Sequence, residues 1–503
     1  MKGRLFCVTF SVLAIGLSFA DASRSLADDA ATRKSQLQDD YELMKLFVEV
    51  YEQIDSNYVR EVDRRELAEA AIRGMLQHLD PYSGYIPKES VRQFDQTVDQ
   101  EFGGVGLQVN GNGGKLIVVS PLPGTPAFRA GIRSGDQIVD IDGKSTDGFS
   151  VSDAVKVLQG PPGRAVTMGV RSSGGTDVRQ VSMTREIIQV PTVLGDQYGS
   201  GGDWQYFLPG QDRIGLVRVT HFSRHTVDEL KRTIDSLISQ GMRGLVLDLR
   251  SNPGGLLDAA IEISDMFLES GDIVSVRGRH VSERSWKATS GDSTWPAFPM
   301  AVIVNRYSAS ASEVLSACLQ DNHRATIVGE RTWGKGSVQN VIRIESGESA
   351  LKLTTASYHR PSGVNIHRFP DSRETDDWGV KPDEGYLVSF TPEQWDLWMK
   401  DRSQLDIIRK EGEAAPERTF ADPQLEKAVT RVNELLKGPA VAAGDPAAAP
   451  VTTTPESQPA SGTAPESDAA SKTEGDATPK ADANPASPET SSTPDTPSTE
   501  VPK

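Results

Sequence analysis

Cysteine is nearly absent from this sequence. Its 503 residues include two, Cys7 and Cys318, so no disulfide framework and no cysteine-pair zinc site organises the fold. Histidine is scarce too, at seven, and no H-E-x-x-H occurs, which removes the helix-borne zinc peptidase signature. Basic charge is not in excess. The formal net charge is −17, which argues against a nucleic-acid partner, since such partners need a basic patch. Large apolar side chains almost vanish over residues 438–503, where ten acids and three lysines stand among Ala, Pro, Ser and Thr. That segment cannot offset its chain entropy and reads as a disordered acidic tail.

No apolar run reaches the roughly 20 residues of a membrane span. The nearest, residues 5–20, follows Lys2 and Arg4 and precedes the small-x-small site at residues 20–22. This is the layout of a secretory signal peptide, residues 1–22, with a second cleavage option after Ala27. Cleavage would leave Cys318 alone, and an uncleaved leader would tether the protein to a membrane. An exported, periplasmic or extracytoplasmic location is expected either way.

Four folded stretches follow. Residues 34–100 read as helical: Leu43, Phe47, Val50, Tyr51 and Ile54 recur at helical spacing, Asp63 is a cap and Pro81 a stop. A packing or dimerisation element is the reading for this stretch. Residues 101–188 read as a β-rich module, with short strands, turn signals and a helix that faces Ala154, Val155 and Leu158 inward. Residues 189–390 alternate strand and helix, with buried strands in "RGLVLDLR" and "MAVIVN"; this is an α/β layered domain. Residues 391–437 turn helical again.

In the module, Gly104 and Gly106 stand in a G-x-G relation, but Val109 occupies the third glycine's place and no strand comes first. A dinucleotide site is therefore set aside. The alternative is a loop of backbone N–H groups facing a carboxylate, followed by a strand edge on which a peptide can pair. This order of elements resembles a PDZ domain. Its carboxylate loop is Gly104, Val105, Gly106 and Leu107.

Several chemistries fail on one residue. Gly329, Gly334 and Lys335 match a phosphate loop, but Gly336 stands where Ser or Thr must hold magnesium. No G-x-S-x-G elbow is present. A Ser-His hydrolase would draw on His221 or His323. What remains is a serine and a lysine. Ser310 and Glu313 have capping-box spacing, and a helix start also favours a developing oxyanion. A lysine base must fall from about 10.4 to about 7–8 to work near neutrality. Lys335 has apolar neighbours in Trp333 and Val338, while Glu330, five residues earlier, would spoil this if it folded back. Gln339, four residues later, is spaced to share a face with Lys335 and orient it. In "DLRSNPGG", Asn252 and Pro253 make a turn, and Gly254 and Gly255 let the backbone approach a ligand. Ser308 and Ser312 read as structural.

"DLRSNPGG", "SASASE" and "GKGSVQ" occur in this order behind the PDZ-like module, with "GMLQHLDPYSGY" and "FGGVG" before them. Together they resemble the carboxy-terminal processing peptidases, or tail-specific proteases, over about residues 41–388. The resemblance implies a crotonase-like α/β protease core with an inserted PDZ domain. It implies Ser310 as nucleophile, Lys335 as general base, Gln339 as its partner, and oxyanion N–H groups at Gly255 and Ala311. It implies no metal or cofactor, and protein or peptide substrates held by their C-termini and cut nearby. It also implies a PDZ module that gates the site. Arg185, at the module's exit, reads as a surface salt-bridge partner, with coupling to the core as the alternative. An adaptor protein and self-association stay open as further partnerships. One departure stands out: residues 368–378 lengthen the family's "PSGxxI…GIxPD" segment, with an altered strand edge or substrate access as the expected effect. The rival readings are a catalytically silent PDZ scaffold and the Ser-His hydrolase.

Overall fold

The computed structural model describes residues 36–199, 202–291, 294–409, 413 and 416–438. The expected signal peptide and all but the first residue of the acidic tail lie outside the described residues. The chain divides into two compact units, after Leu79.

The first unit holds a helix over 36–57 and the helix Arg64–Leu79. Asp63 caps the latter, accepting from the N–H groups of Arg65 at 2.8 Å and Glu66 at 2.9 Å. The apolar stripe of the first helix is not a core: Leu43, Phe47 and Val50 are exposed. The strand Gly84–Ile86 and the helix Lys88–Asp99 fall in the second unit, where the strand pairs with Ser349–His359.

The β-rich module is an antiparallel sheet. Its strands run in the order Leu107–Asn112, Lys115–Pro121, Gln137–Ile141, Ala165–Arg171 and Val178–Thr184. Leu116, Val118, Ile138, Ile141, Met168 and Val170 fill its core beneath the helix Val151–Leu158. The entering strand Glu101–Gly104 pairs with the leaving strand Glu186–Gln189, so the module is an insertion closed at its base. Ala154 and Leu158 point inward as expected, but Val155 is exposed. The reason is a second face: Val151, one turn earlier, has its Cγ2 3.9 Å from the position of a Cβ on Gly111. Val151 and Val155 therefore share the helix's other face, and Val151 stands beside the strand Leu107–Asn112.

Arg185 is not a surface ion-pair residue. It is buried, and its guanidinium donates to the carbonyls of Val157, Leu158 and Ala165 at 2.8–3.0 Å. It closes the C-terminal end of the module's helix, where carbonyls lack partners.

In the α/β domain, Val193–Leu194, Ile214–Val219, Gly244–Asp248, Met300–Val304 and Thr326–Gly329 form one sheet in chain order. All pairs but the first are parallel. Alternate side chains serve opposite faces. Val217, Leu245, Leu247 and Val302 meet the helices Thr226–Ser239, Leu257–Phe267 and Ala311–Asp321. Leu216, Val246, Ile303 and Val328 meet Leu425, Ala428 and Val432 of the helix Pro423–Lys437. A parallel sheet covered on both faces explains the near-continuous apolar runs of its strands. The C-terminal helix is thus a layer of this domain.

Arg250, just past a central strand, ties that layer down. It is buried and donates to Asp248 and Asp422 at 2.7 Å and to Gln424 at 3.1 Å, over the ring of Trp398. Arg250→Ala leaves two buried carboxylates unpaired, so denaturant unfolding should show a loss of about 3–5 kcal/mol.

Candidate active site

The parallel strand Met300–Val304 leads through a tight turn to the helix Ala311–Asp321. Ser310 sits at that turn with φ 55°, in the left-handed region a serine seldom adopts. Hydrogen bonds hold it there. Asn252 accepts the N–H of Ala309 and the hydroxyl of Ser312 on its carbonyl, both at 3.0 Å. The Ser308 hydroxyl donates to the Leu249 carbonyl at 2.8 Å and accepts the Asn305 N–H at 2.9 Å. Ser308 and Ser312 are structural ties between the turn and the loop carrying Gly254 and Gly255.

That loop touches Ser310. A Cβ on Gly254 would lie 2.8 Å from Ser310 Cβ and 2.9 Å from the Ala311 nitrogen. A Cβ on Gly255, at φ 144°, would lie 2.1 Å from the Phe222 carbonyl oxygen, so no side chain fits. The N–H of Ala311, first in its helix, has no intrahelical acceptor.

Glu313 binds the two halves of the site. Its Oε2 accepts the N–H of Ser310 and the N–H of Lys335, both at 2.8 Å. Its Oε1 accepts the Thr332 hydroxyl at 2.5 Å and the Gly334 N–H at 2.7 Å. Thr332 in turn accepts the Val380 N–H. Burial raises the Glu313 pKa, and the bonds from Thr332, Gly334, Ser310 and Lys335 oppose it. Three backbone N–H groups and the Thr332 hydroxyl donate to it, bonds that favour the carboxylate against that burial.

Lys335 is 5% exposed. Burial pushes its amine down to about 7; the nearby Lys352 adds to this and Glu313 opposes it. Its Nζ lies 5.4 Å from the centre of the Tyr82 ring. Glu330 does not fold back onto Lys335: Arg306 holds it with two bonds at 2.9 Å, and it accepts the Phe390 N–H. The acid near Lys335 is Glu313.

Gln339 is buried, and its amide nitrogen donates to Ser337 Oγ at 2.8 Å and to the Ser337 carbonyl at 3.1 Å. A bulge falls between Val338 and Gln339 against the strand Ser349–His359, so simple alternation does not place Gln339 relative to Lys335.

The two candidate histidines differ in placement, and His221 directly precedes Phe222, which bonds the Gly254–Gly255 loop. His323 lies beyond the far end of the eleven-residue helix that Ser310 opens, about 16 Å away along its axis. His221 is buried with no hydrogen-bond partner for Nε2 among the described residues, and burial pushes it down to about 4. Among the described residues, no cluster of three His, Cys, Asp or Glu side chains is placed to hold a metal.

In the module, the carbonyls of Val105 and Gly106 accept the N–H groups of Ala127 and Leu122 at 2.9 Å. In a trans peptide the next N–H points the opposite way. The N–H groups of Gly106 and Leu107 therefore face outward, beside the edge strand Leu107–Asn112.

Tyr82, Asp80, Lys352, Glu313 and Thr332 were not singled out by sequence reasoning as parts of the site. Tyr82 follows Asp80, which accepts the N–H groups of Tyr82 and Ser83 at 2.7 Å; the D-P-Y-S turn was the available signal. Glu313 was visible only as the third residue of a capping box.

Comparison with known proteins agrees with this architecture. The Peptidase family S41 model matches residues 213–385, a PDZ domain model residues 117–172, and the activating protease CtpB N-terminal domain model residues 8–90. A carboxy-terminal-processing protease of Bartonella bacilliformis is 34% identical over 437 residues, 84% of this chain and 94% of its own. A carboxyl-terminal-processing protease of Synechocystis is 35% identical over 355 residues, 69% of this chain and 78% of its own. Among solved structures, a photosystem II D1 C-terminal processing protease is 31% identical, covering 69% of this chain and 93% of its own, with a TM-score of 0.38. The chain belongs to peptidase family S41, in its branch of carboxy-terminal processing proteases that carry a PDZ domain. Such a protein acts on protein substrates.

The buried amine has a stability consequence. Its folded pKa of about 7 lies below the ordinary 10.5, so charged Lys335 weakens the fold. That cost is complete below pH 7 and fades as pH rises toward 10.5. Lys335→Met should therefore stabilise the protein by a few kcal/mol at pH 6 and by progressively less up to pH 10. Unfolding midpoints across that range measure it.

Proposed function

We propose that this protein is an exported serine endopeptidase that cuts polypeptides near their C-termini with a Ser310–Lys335 dyad. The observation that carries the reading is the shared Glu313 oxygen, which holds the backbones of Ser310 and Lys335 on one atom. Ser310 Oγ attacks the scissile carbonyl while Lys335 Nζ takes its proton. Gln339 orients the amine. The N–H groups of Gly255 and Ala311 bind the oxyanion, each donor contributing about 2.7–4 kcal/mol to the transition state. The protonated lysine returns its proton to the leaving amine, and water, deprotonated by the same lysine, hydrolyses the acyl-enzyme.

The PDZ module supplies the choice of end. The substrate's terminal carboxylate sits on the loop Gly104, Val105, Gly106 and Leu107, and its backbone pairs along Leu107–Asn112. The module gates the core through this contact. The leader at residues 1–22 directs export, and the exposed apolar helix over 36–57 suits self-association.

Ser310→Ala and Lys335→Ala should each lower cleavage of β-casein by about 1000-fold or more, while EDTA leaves the wild-type rate unchanged. Cleavage that survives Ser310→Ala removes the nucleophile from this reading. The wild-type kcat/KM should rise with pH through about 7, because the base must be neutral. Peptides ending in a carboxamide should bind the module at least about tenfold more weakly than the free acids, by calorimetry.

A further inference from the structure

Residues 368–378 lengthen a short family segment, and they pack onto the loop that carries Lys335. Arg331 governs that packing. Its Nη1 donates to the Glu374 carbonyl at 2.6 Å. Its Nη2 donates to the carbonyls of Asp376 at 2.6 Å and Trp378 at 2.8 Å. Its guanidinium carbon lies 3.3 Å from the centre of the Trp378 ring, and the guanidinium carbon of Arg368 lies 4.4 Å from it. Trp378 itself is 5% exposed.

The segment then meets the loop backbone directly. The Arg368 N–H donates to the Gly334 carbonyl at 2.8 Å. A Cβ on Gly334 would lie 2.6 Å from Arg368 Cβ and 2.9 Å from the Trp378 ring, and a Cβ on Gly336 would lie 2.2 Å from the His367 nitrogen. Only glycine on either side of Lys335 permits this fit. Thr332, Trp333 and Gly334 line an open cavity of about 1040 Å³ together with Arg368, Glu374 and Trp378 of the segment. Glu313 grips the loop from within, and the 368–378 segment is its outer brace.

We propose that Arg331 and Trp378 form a latch that positions the general base, by clamping residues 368–378 against Gly334 and, through the adjoining His367, against Gly336. They are positioning residues, since neither reaches the reacting atoms. The inference rests on Lys335 being the base.

The test uses the full-length protein and a quenched fluorescent peptide with a free C-terminus. Arg331→Lys keeps the charge but loses the fork that spans three carbonyls. Trp378→Ala removes the stacking surface, and Trp378→Phe keeps a ring. Arg331→Lys and Trp378→Ala should lower kcat by about 10- to 100-fold with KM within about twofold. The acid limb of their kcat profile should move up as water reaches the lysine amine. Trp378→Phe should restore most of the loss. Labelling of Ser310 by a fluorophosphonate should slow in parallel and show the same shifted limb.

An unshifted limb with wild-type kcat in Arg331→Lys overturns the latch, as does a loss confined to KM or a Trp378→Phe variant as weak as Trp378→Ala. Should Trp378→Ala fail to fold by circular dichroism, Arg331→Lys and Trp378→Phe decide alone. Lys335→Ala is measured beside them. If it stays active, the base assignment itself fails; if it is inactive while Arg331→Lys is normal, only the latch fails.

Discussion

A buried carboxylate surrounded entirely by donors is the constraint on which the site turns. Glu313 sits at the third position of its helix, and its two oxygens take four hydrogen bonds from two separate parts of the chain. One part is the turn that forces Ser310 to a positive φ, a conformation costing of order 1–3 kcal/mol that persists only when its surroundings dictate it. The other is the loop that ends in Lys335. The carboxylate also sets an electrostatic balance. It favours the charged lysine, while burial and Lys352 favour the neutral one, and the amine settles near 7. A neutral clamp at this position would leave donors unsatisfied; a nearer or second anion would lift the amine out of working range.

Much of the fold was legible because its strands and helices obey simple periodicities. The parallel strands read as apolar runs since helices cover both sheet faces, and Asp63 marks a helix start by local chemistry. Legibility failed where a residue's role depends on a partner far along the chain. Glu313 and Lys335 are 22 residues apart in sequence, and nothing local distinguishes a cap from a clamp. Helical spacing alone puts Val155 with Ala154 and Leu158, but it is exposed on the face it shares with Val151. Arg185 was taken for a surface residue because arginine usually is one; the carbonyls that bury it belong to a helix end nearly 30 residues earlier.

The strand Gly84–Ile86 shows the same long-range logic. It pairs with Ser349–His359, and that pairing brings Gly84 opposite Lys352 and the Asp80–Ser83 turn beside Thr354. Thr354 lies within 3.5 Å of the Gln339 amide. A turn read as the end of a helical segment is in fact one wall of the lysine's environment, and Tyr82 is its face. The site is therefore built from pieces contributed across about 270 residues of sequence.

The helix Pro423–Lys437 also fixes when the site comes into being. It covers Leu216, Val246, Ile303 and Val328 on the far side of the parallel sheet, and Asp422 at its start completes the pairing of Arg250. As the chain is made, residues 213–385 emerge first, and their sheet keeps one bare apolar face until this helix arrives. The turn carrying Ser310 hangs from that sheet, so the last helix to be made is also part of what holds that turn in place.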